Sequence, residues 1–128
     1  MLEVRIVTRA IVGLACATLL SACASAPAAT NWANFGGEPD RGAVLIGRYS
    51  CGACHQIPGI ADADGLVGPP LGTFARRTVI AGLLPNTPSN LVLWLRHPQS
   101  VTPGNAMPDL GLTDTQARDI AAFLYARH

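Results

Sequence analysis

The chain has 128 residues, 49% hydrophobic but only 5% aromatic, with 13 glycines and 10 prolines, which is room for one small domain. Nine arginines and eight acidic residues leave a formal charge of +1, and no basic stripe exists to hold a phosphate backbone, which excludes a nucleic-acid partner. A core so rich in Gly and Pro and so poor in large side chains needs a disulfide, a metal or a bound cofactor.

Arg5 and Arg9 precede an uncharged run of eleven residues, Ala10 to Leu20. It is too short to cross a hydrocarbon core and suits the apolar region of an export signal. The run ends in Leu20-Ser21-Ala22-Cys23, which resembles the bacterial lipobox. That resemblance implies a diacylated Cys23 as the first mature residue. The alternative is ordinary cleavage at the small-x-small run Ala22-Cys23-Ala24. Either way the domain is exported, and a lipid on Cys23 would anchor it to the periplasmic side of a bacterial membrane. Residues 1–22 therefore read as a signal and 23–38 as a flexible tether rich in Ala, Pro, Asn and Gly. Trp32 and Phe35 interrupt the tether and are expected to pack on the domain, 39–128. Beyond the signal, seven arginines balance seven acids, and Cys51 and Cys54 are the only cysteines of the folded part.

Three helices are predicted. The first spans about Asp40 to Tyr49 behind Pro39, with Val44, Leu45 and Ile46 as its apolar side. Gly42 and Gly47 lower its propensity and point to close approach by another element. The second opens at Thr87-Pro88-Ser89-Asn90, a cap followed by Pro at the first helical position, and ends near His97 because Pro98 follows. The third opens with Thr113-Asp114-Thr115-Gln116, a capping box, and repeats Ala117, Ile120, Ala121 and Leu124 at helical spacing. Arg127 and His128 suit its C-terminus. Between them, Ile57 to Asn86 and Pro98 to Leu112 are long Gly/Pro segments that must wrap something. No strand is predicted.

The wrapped object is indicated by Cys51-Gly52-Ala53-Cys54-His55. C-x-x-C-H is the attachment signature of a c-type haem. Two thiols three residues apart can add to neighbouring vinyl groups, and the next imidazole reaches the iron. A thioredoxin-type pair lacks its βαβ context, a zinc site lacks a fourth ligand, and a disulfide across so short a loop contributes little. Met107, in Thr102-Pro103-Gly104-Asn105-Ala106-Met107-Pro108, is the candidate sixth ligand. The only other methionine is the initiator; the rival ligands are His97 and His128.

With these residues in hand, the chain resembles a class I mono-haem cytochrome c from about Pro39 to His128. It is similar to small bacterial membrane-associated cytochromes and to the cytochrome c domain fused to oxidase subunit II. The landmarks are Arg41-Gly42, the CxxCH run, Gly68-Pro69-Pro70-Leu71, Asn90-Leu91 with Trp94, Pro98, Pro103-Gly104 with Met107-Pro108, and Ile120-Ala121-Ala122-Phe123-Leu124. The resemblance implies an all-α fold, with helices and long loops around one covalent haem c ligated by His55 and Met107. It also implies a first and last helix crossing near Gly42 and Phe123, and a Pro69 carbonyl that accepts from His55 Nδ1. Two departures stand out: Gly42 is nine residues before Cys51 where mitochondrial forms often use eight, and no lysine is present.

Of Arg76, Arg77 and Arg96, Arg77 is the expected partner of a haem propionate, the alternative being a solvated arginine; Trp94 Nε1–H is a second donor. Leu71, Phe74, Ile80, Leu91 and Leu95 are expected pocket walls. Asp62 and Asp64 read as a solvated turn. A saturated His/Met iron favours one-electron transfer over catalysis. The family's usual neighbours are a quinol–cytochrome c reductase, a terminal oxidase or a dehydrogenase. The competing readings are a haem-based sensor in which Met107 yields to a small ligand, and a fixed relay subunit of a larger complex.

Overall fold

A computed structural model of the protein describes residues 35–127. The proposed signal, Cys23, Trp32 and His128 lie outside the described residues. Among those described, three main helices carry the fold, as the sequence predicts. Helix α1 (Pro39–Arg48) begins with Pro at its first position, has Asp40 in the first turn and Arg48 in the last, and buries Gly42 and Ile46. That charge order suits the helix dipole. Helix α2 (Pro88–Arg96) is capped by Thr87, whose Oγ1 accepts from the Asn90 N–H at 3.3 Å. It stops at His97, ahead of Pro98, for the reason read from the sequence. The same proline then opens an unpredicted single turn, α3 (Pro98–Val101), because a first-turn proline needs no N–H partner.

Helix α4 (Asp114–Tyr125) starts with the expected capping box. Thr113 Oγ1 accepts from the Gln116 N–H at 3.2 Å, and Gln116 Oε1 accepts from the Thr113 N–H at 2.9 Å. The helix ends at Tyr125, short of Arg127. It is buried on nearly every side, Asp119, Ala122 and Tyr125 included. A helix this enclosed is the centre of the domain and not its amphipathic flank.

Helix α1 crosses α4 at Gly42. A Cβ there would stand 2.1 Å from the Asp119 carbonyl oxygen and 2.9 Å from Phe123 Cβ, so only glycine permits the contact. Gly47 does not repeat this. Five residues along a helix turn the side chain by about 140°, and a Cβ at Gly47 meets nothing within 4 Å. The close approach expected there is absent. Beside the crossing, the Asp119 carboxylate accepts from Arg41 Nε at 2.9 Å, Arg41 Nη2 at 3.0 Å and the Glu38 N–H at 2.8 Å. The Arg41 hydrogen bond holds the Asp119 carboxyl below its ordinary pKa, and Asp119 raises that of Arg41.

Packing begins upstream of Pro39, inside the stretch read as a tether. Arg118 Nη1 donates to the Phe35 carbonyl at 3.0 Å, and its guanidinium lies 4.5 Å over the Phe35 ring. Two short strands were not predicted. Strand β1 (Val79–Ile80) pairs antiparallel with β2 (Leu84–Pro85), Val79 opposite Pro85 and Ile80 opposite Leu84. At two residues each, they are too short to show a period in sequence.

Candidate functional site

The chain leaves α1 through Ser50, whose φ of 54° turns it into a 3-10 turn at Cys51–Ala53. The following loop presses on the back of that turn. A Cβ on Gly52 would lie 2.6 Å from Ala63 Cα, and one on Gly65 would lie 2.5 Å from the Ala53 carbonyl. The glycine inside the CxxCH run is therefore a packing requirement as well as a spacer. Asp62 and Asp64 are exposed at this bend.

The His55 ring lies against the Gly68–Pro69 segment, with Nδ1 at 2.8 Å from the Pro69 carbonyl oxygen. A carbonyl can only accept, so Nδ1 carries the proton and Nε2 keeps the lone pair that a metal takes. Gly68 makes the approach possible, since a Cβ there would stand 2.2 Å from His55 Cε1. Its N–H donates to the Cys54 carbonyl at 2.7 Å, which ties the segment back to the motif.

These residues open on a cavity of about 370 Å³, within the roughly 300–1,000 Å³ typical of small-molecule and cofactor pockets. Cys51, Cys54, His55, Pro69, Arg77, Trp94 and Met107 all line it. So do the five expected walls, Leu71, Phe74, Ile80, Leu91 and Leu95, together with Ile46, Ile120 and Leu124 from the two crossing helices. Cys51 and Cys54 are free thiols. Burial pushes the Cys51 thiol above its ordinary pKa, which is the opposite of an activated redox cysteine. Among the described residues no cluster of three or more His, Cys, Asp or Glu side chains is set to hold a metal ion.

The donor set fits a haem bound through thioethers. It offers two thiols, one imidazole with its tautomer set, one thioether and largely apolar walls. One further atom is consistent with an occupied cavity: Thr102 Oγ1, from a lining residue, is buried without a hydrogen-bond partner among the described residues. A buried hydroxyl of that kind calls for a polar group or a water inside the cavity.

The structure separates the three candidate arginines. Arg77 lines the cavity, and its Nη2 donates to the Pro70 carbonyl. Arg76 is exposed and outside the lining, and Arg96 turns away to the Leu112 carbonyl at 3.3 Å and Asp114 at 3.6 Å. Trp94 is half-buried, and none of the hydrogen bonds among the described residues engages its Nε1. His97 is exposed and does not line the cavity.

Three amide side chains that support the site escaped the sequence reading: Asn86, Gln99 and Asn105. Asn86 Nδ2 donates to the Phe74 and Arg77 carbonyls at 3.0 and 2.9 Å, and its Oδ1 accepts from Tyr125 OH at 2.5 Å. It thereby ties the Arg77 backbone to α4. No local spacing announces the contacts of Asn86 and Gln99; Asn105 alone carries a local signal, an amide whose Oδ1 accepts from the N–H two residues on.

The family model described as cytochrome c matches residues 39–126. The chain is also similar to cytochrome c oxidase subunit 2 of Alkalihalophilus pseudofirmus, 38% identical over 81 residues, which are 61% of this chain and 23% of that protein. The same subunit of Bacillus subtilis is 34% identical over 83 residues, 60% of this chain and 23% of that protein. That of Bacillus sp. PS3 is 42% identical over 60 residues, 45% of this chain and 17% of that protein. The chain thus spans about a quarter or less of the relatives it matches.

Proposed function

Because the chain belongs to the cytochrome c family, we propose that it carries single electrons on one haem c, attached through Cys51 and Cys54. His55 and Met107 are its axial ligands. The observation that supports this is the convergence of both thiols, the tautomer-set imidazole and the thioether on one apolar-walled cavity. The haem supplies a redox-active iron; the chain supplies its attachment, both ligands and a low-dielectric enclosure. A neutral His/Met pair raises the potential and leaves no coordination position for oxygen chemistry. Arg77 is the propionate partner in this reading and Trp94 Nε1–H a second donor, since a half-buried indole seeks an acceptor.

Cys23 carries a lipid and holds the domain at the periplasmic face of a bacterial membrane. The lipobox-like Leu20-Ser21-Ala22-Cys23 supports this. The likeness to oxidase subunit 2 supports a terminal oxidase as electron acceptor, with a quinol–cytochrome c reductase or a dehydrogenase as donor. It equally favours a second arrangement, in which the domain is a fixed relay within such a complex.

The test is spectroscopic. The protein matured with haem retains colour through denaturing electrophoresis, shows the weak sulfur-to-iron band at the red end of the visible spectrum when oxidised, and ignores carbon monoxide when reduced. Met107→Ala loses the band and lowers the potential, while His97→Ala changes neither. Ready carbon monoxide binding by the wild type would establish a sensor instead. Mass spectrometry of membrane-extracted protein finds a lipidated Cys23 at the N-terminus; an unmodified chain starting at Ser25 refutes the anchor.

A further inference from the structure

The loop that carries Met107 has no regular secondary structure. It runs from Thr102 through Gly104, whose φ is 78°, to Met107. Such a segment ordinarily leaves its backbone groups to water, yet two neighbouring amide side chains take them up. Gln99 Nε2 donates to the Asn105 carbonyl at 2.9 Å and to the Met107 carbonyl at 2.7 Å. Its Oε1 accepts from the Gly104 N–H at 3.1 Å. Asn105 Nδ2 donates to the Pro98 and Thr102 carbonyls at 2.9 and 2.6 Å, and its Oδ1 accepts from the Met107 N–H at 2.7 Å.

We propose that Gln99 and Asn105 are positioning residues for Met107, clamping its main-chain N–H and C=O so that the thioether is held against the iron. This rests on the axial role proposed above for Met107. All four amide N–H groups and both amide oxygens are used, and the pattern admits no flip of either amide, because each oxygen meets a backbone N–H and each nitrogen two carbonyls. Gln99 stands on α3, whose Pro98 is fully buried. Asn105, although on the loop, donates to the Pro98 carbonyl, so both halves of the clamp are tied to a core-anchored turn. A thioether is a weak, neutral ligand. How often it leaves the iron depends on how readily its backbone moves, and moving Met107 outward breaks bonds to both amides at once.

The experiment uses the full-length, haem-loaded protein. Gln99→Glu keeps the shape but sets a carboxylate oxygen against the Met107 and Asn105 carbonyls. Asn105→Ala removes the acceptor for the Met107 N–H. In both, the pH midpoint at which the ferric protein loses its sulfur-to-iron band falls by at least about one unit, a roughly tenfold or greater rise in the ligand-off form. That is the scale expected for losing two hydrogen bonds in Gln99→Glu and three in Asn105→Ala. The reduced variants also gain carbon monoxide binding. Should Asn105→Ala fail to fold, the shape-preserving Gln99→Glu carries the test.

Asp119→Asn, which weakens the helix crossing away from the cavity, leaves the midpoint where it is. The assignment is overturned if Gln99→Glu keeps the wild-type midpoint and stays inert to carbon monoxide while Met107→Ala loses the band. It is overturned equally if Asp119→Asn moves the midpoint as far as the clamp variants do. A Met107→Ala protein that keeps the band overturns the ligation reading itself.

Discussion

Gly68→Ala places a methyl group where the His55 ring now lies. The added carbon would stand 2.2 Å from Cε1, 2.5 Å from Nδ1 and 2.8 Å from Nε2. Carbon contacts are comfortable only from about 3.5 Å, so ring and residue 68 must separate by roughly 1 Å. Residue 68 cannot easily retreat, because its N–H is held by the Cys54 carbonyl at 2.7 Å and the next carbonyl accepts from Nδ1 at 2.8 Å. The ring swings instead. It forfeits the Pro69 hydrogen bond, about 0.5–1.5 kcal/mol net, and leaves its rotamer well for about the same again. The total of about 1–3 kcal/mol corresponds to a Tm lower by roughly 5–20 °C in a domain of this size. Loss of the Nδ1 partner also makes the imidazole a poorer electron donor, so the reduction potential rises. Calorimetry and an equilibrium redox titration on the haem-loaded protein measure both. A Gly68→Ala protein with wild-type Tm and potential would refute the idea that His55 is wedged between residues 68 and 69.

The two glycines of α1 are expected to behave in opposite ways. Gly42→Ala costs at least about 1–3 kcal/mol by forcing the helices apart, whereas Gly47→Ala, facing open space, stabilises by about 0.5–1 kcal/mol; urea unfolding ranks them, and equal stabilities would disprove the crossing. Asp119, whose pKa is lowered by Arg41, contributes stability that is complete above its unfolded pKa near 4 and is lost as pH falls through its lower folded value. Asp119→Asn should destabilise at neutral pH and flatten that acid limb in Tm measured against pH; an unchanged limb would assign the acid dependence elsewhere. Burial pushes the Tyr125 phenol up to about 12, so its contribution is intact below pH 10 and lost as pH rises through about 12. Tyr125→Phe leaves Asn86 Oδ1 without its donor, costs about 1–2 kcal/mol at neutral pH, and reduces the alkaline loss; calorimetry at neutral and alkaline pH checks both.

Local signals were the legible ones. The Thr113 capping box and the Thr87-Pro88 start are written in consecutive residues whose geometry needs no distant partner, and both formed as read. The CxxCH run is equally self-contained. The face that a helix turns inward is less so: Gly42 and Gly47 look alike in sequence, and only the phase of α1 on α4 distinguishes the glycine under 2.1 Å of carbonyl from the one in open space. The burial of Asp119 was illegible for a related reason. A charged residue at the centre of α4 is tolerable only because Arg41 and the Glu38 N–H, 78 and 81 residues earlier, arrive to satisfy it. Asn86 and Gln99 act through partners that the fold brings near, so no spacing rule points to them. Asn105 differs: its Oδ1 accepts from the N–H two residues on, a turn contact that an Asn in a Gly/Pro loop does signal.

The cavity also answers the question raised by composition, how so short a chain with few large side chains encloses a core. Ile46, Ile57, Phe74, Ile80, Leu91, Leu95, Ile120 and Leu124 are all buried, and all of them line the cavity. Those on α1, α2 and α4 would therefore face the cofactor directly, while Val92, Leu112, Phe123 and Tyr125 are buried behind them, outside the lining. A large, rigid, apolar group fixed at Cys51 and Cys54, as proposed, would stand in for the aromatic mass that the sequence lacks, while glycines at 42, 52, 65 and 68 allow close approaches that side chains would block. At the eight wall positions stability and redox environment are set together. A wall substitution that loosens packing would also change the dielectric around a bound iron, so at the walls the two effects cannot be tuned separately. The α1–α4 crossing at Gly42 and Asp119, by contrast, offers stability changes away from the cavity.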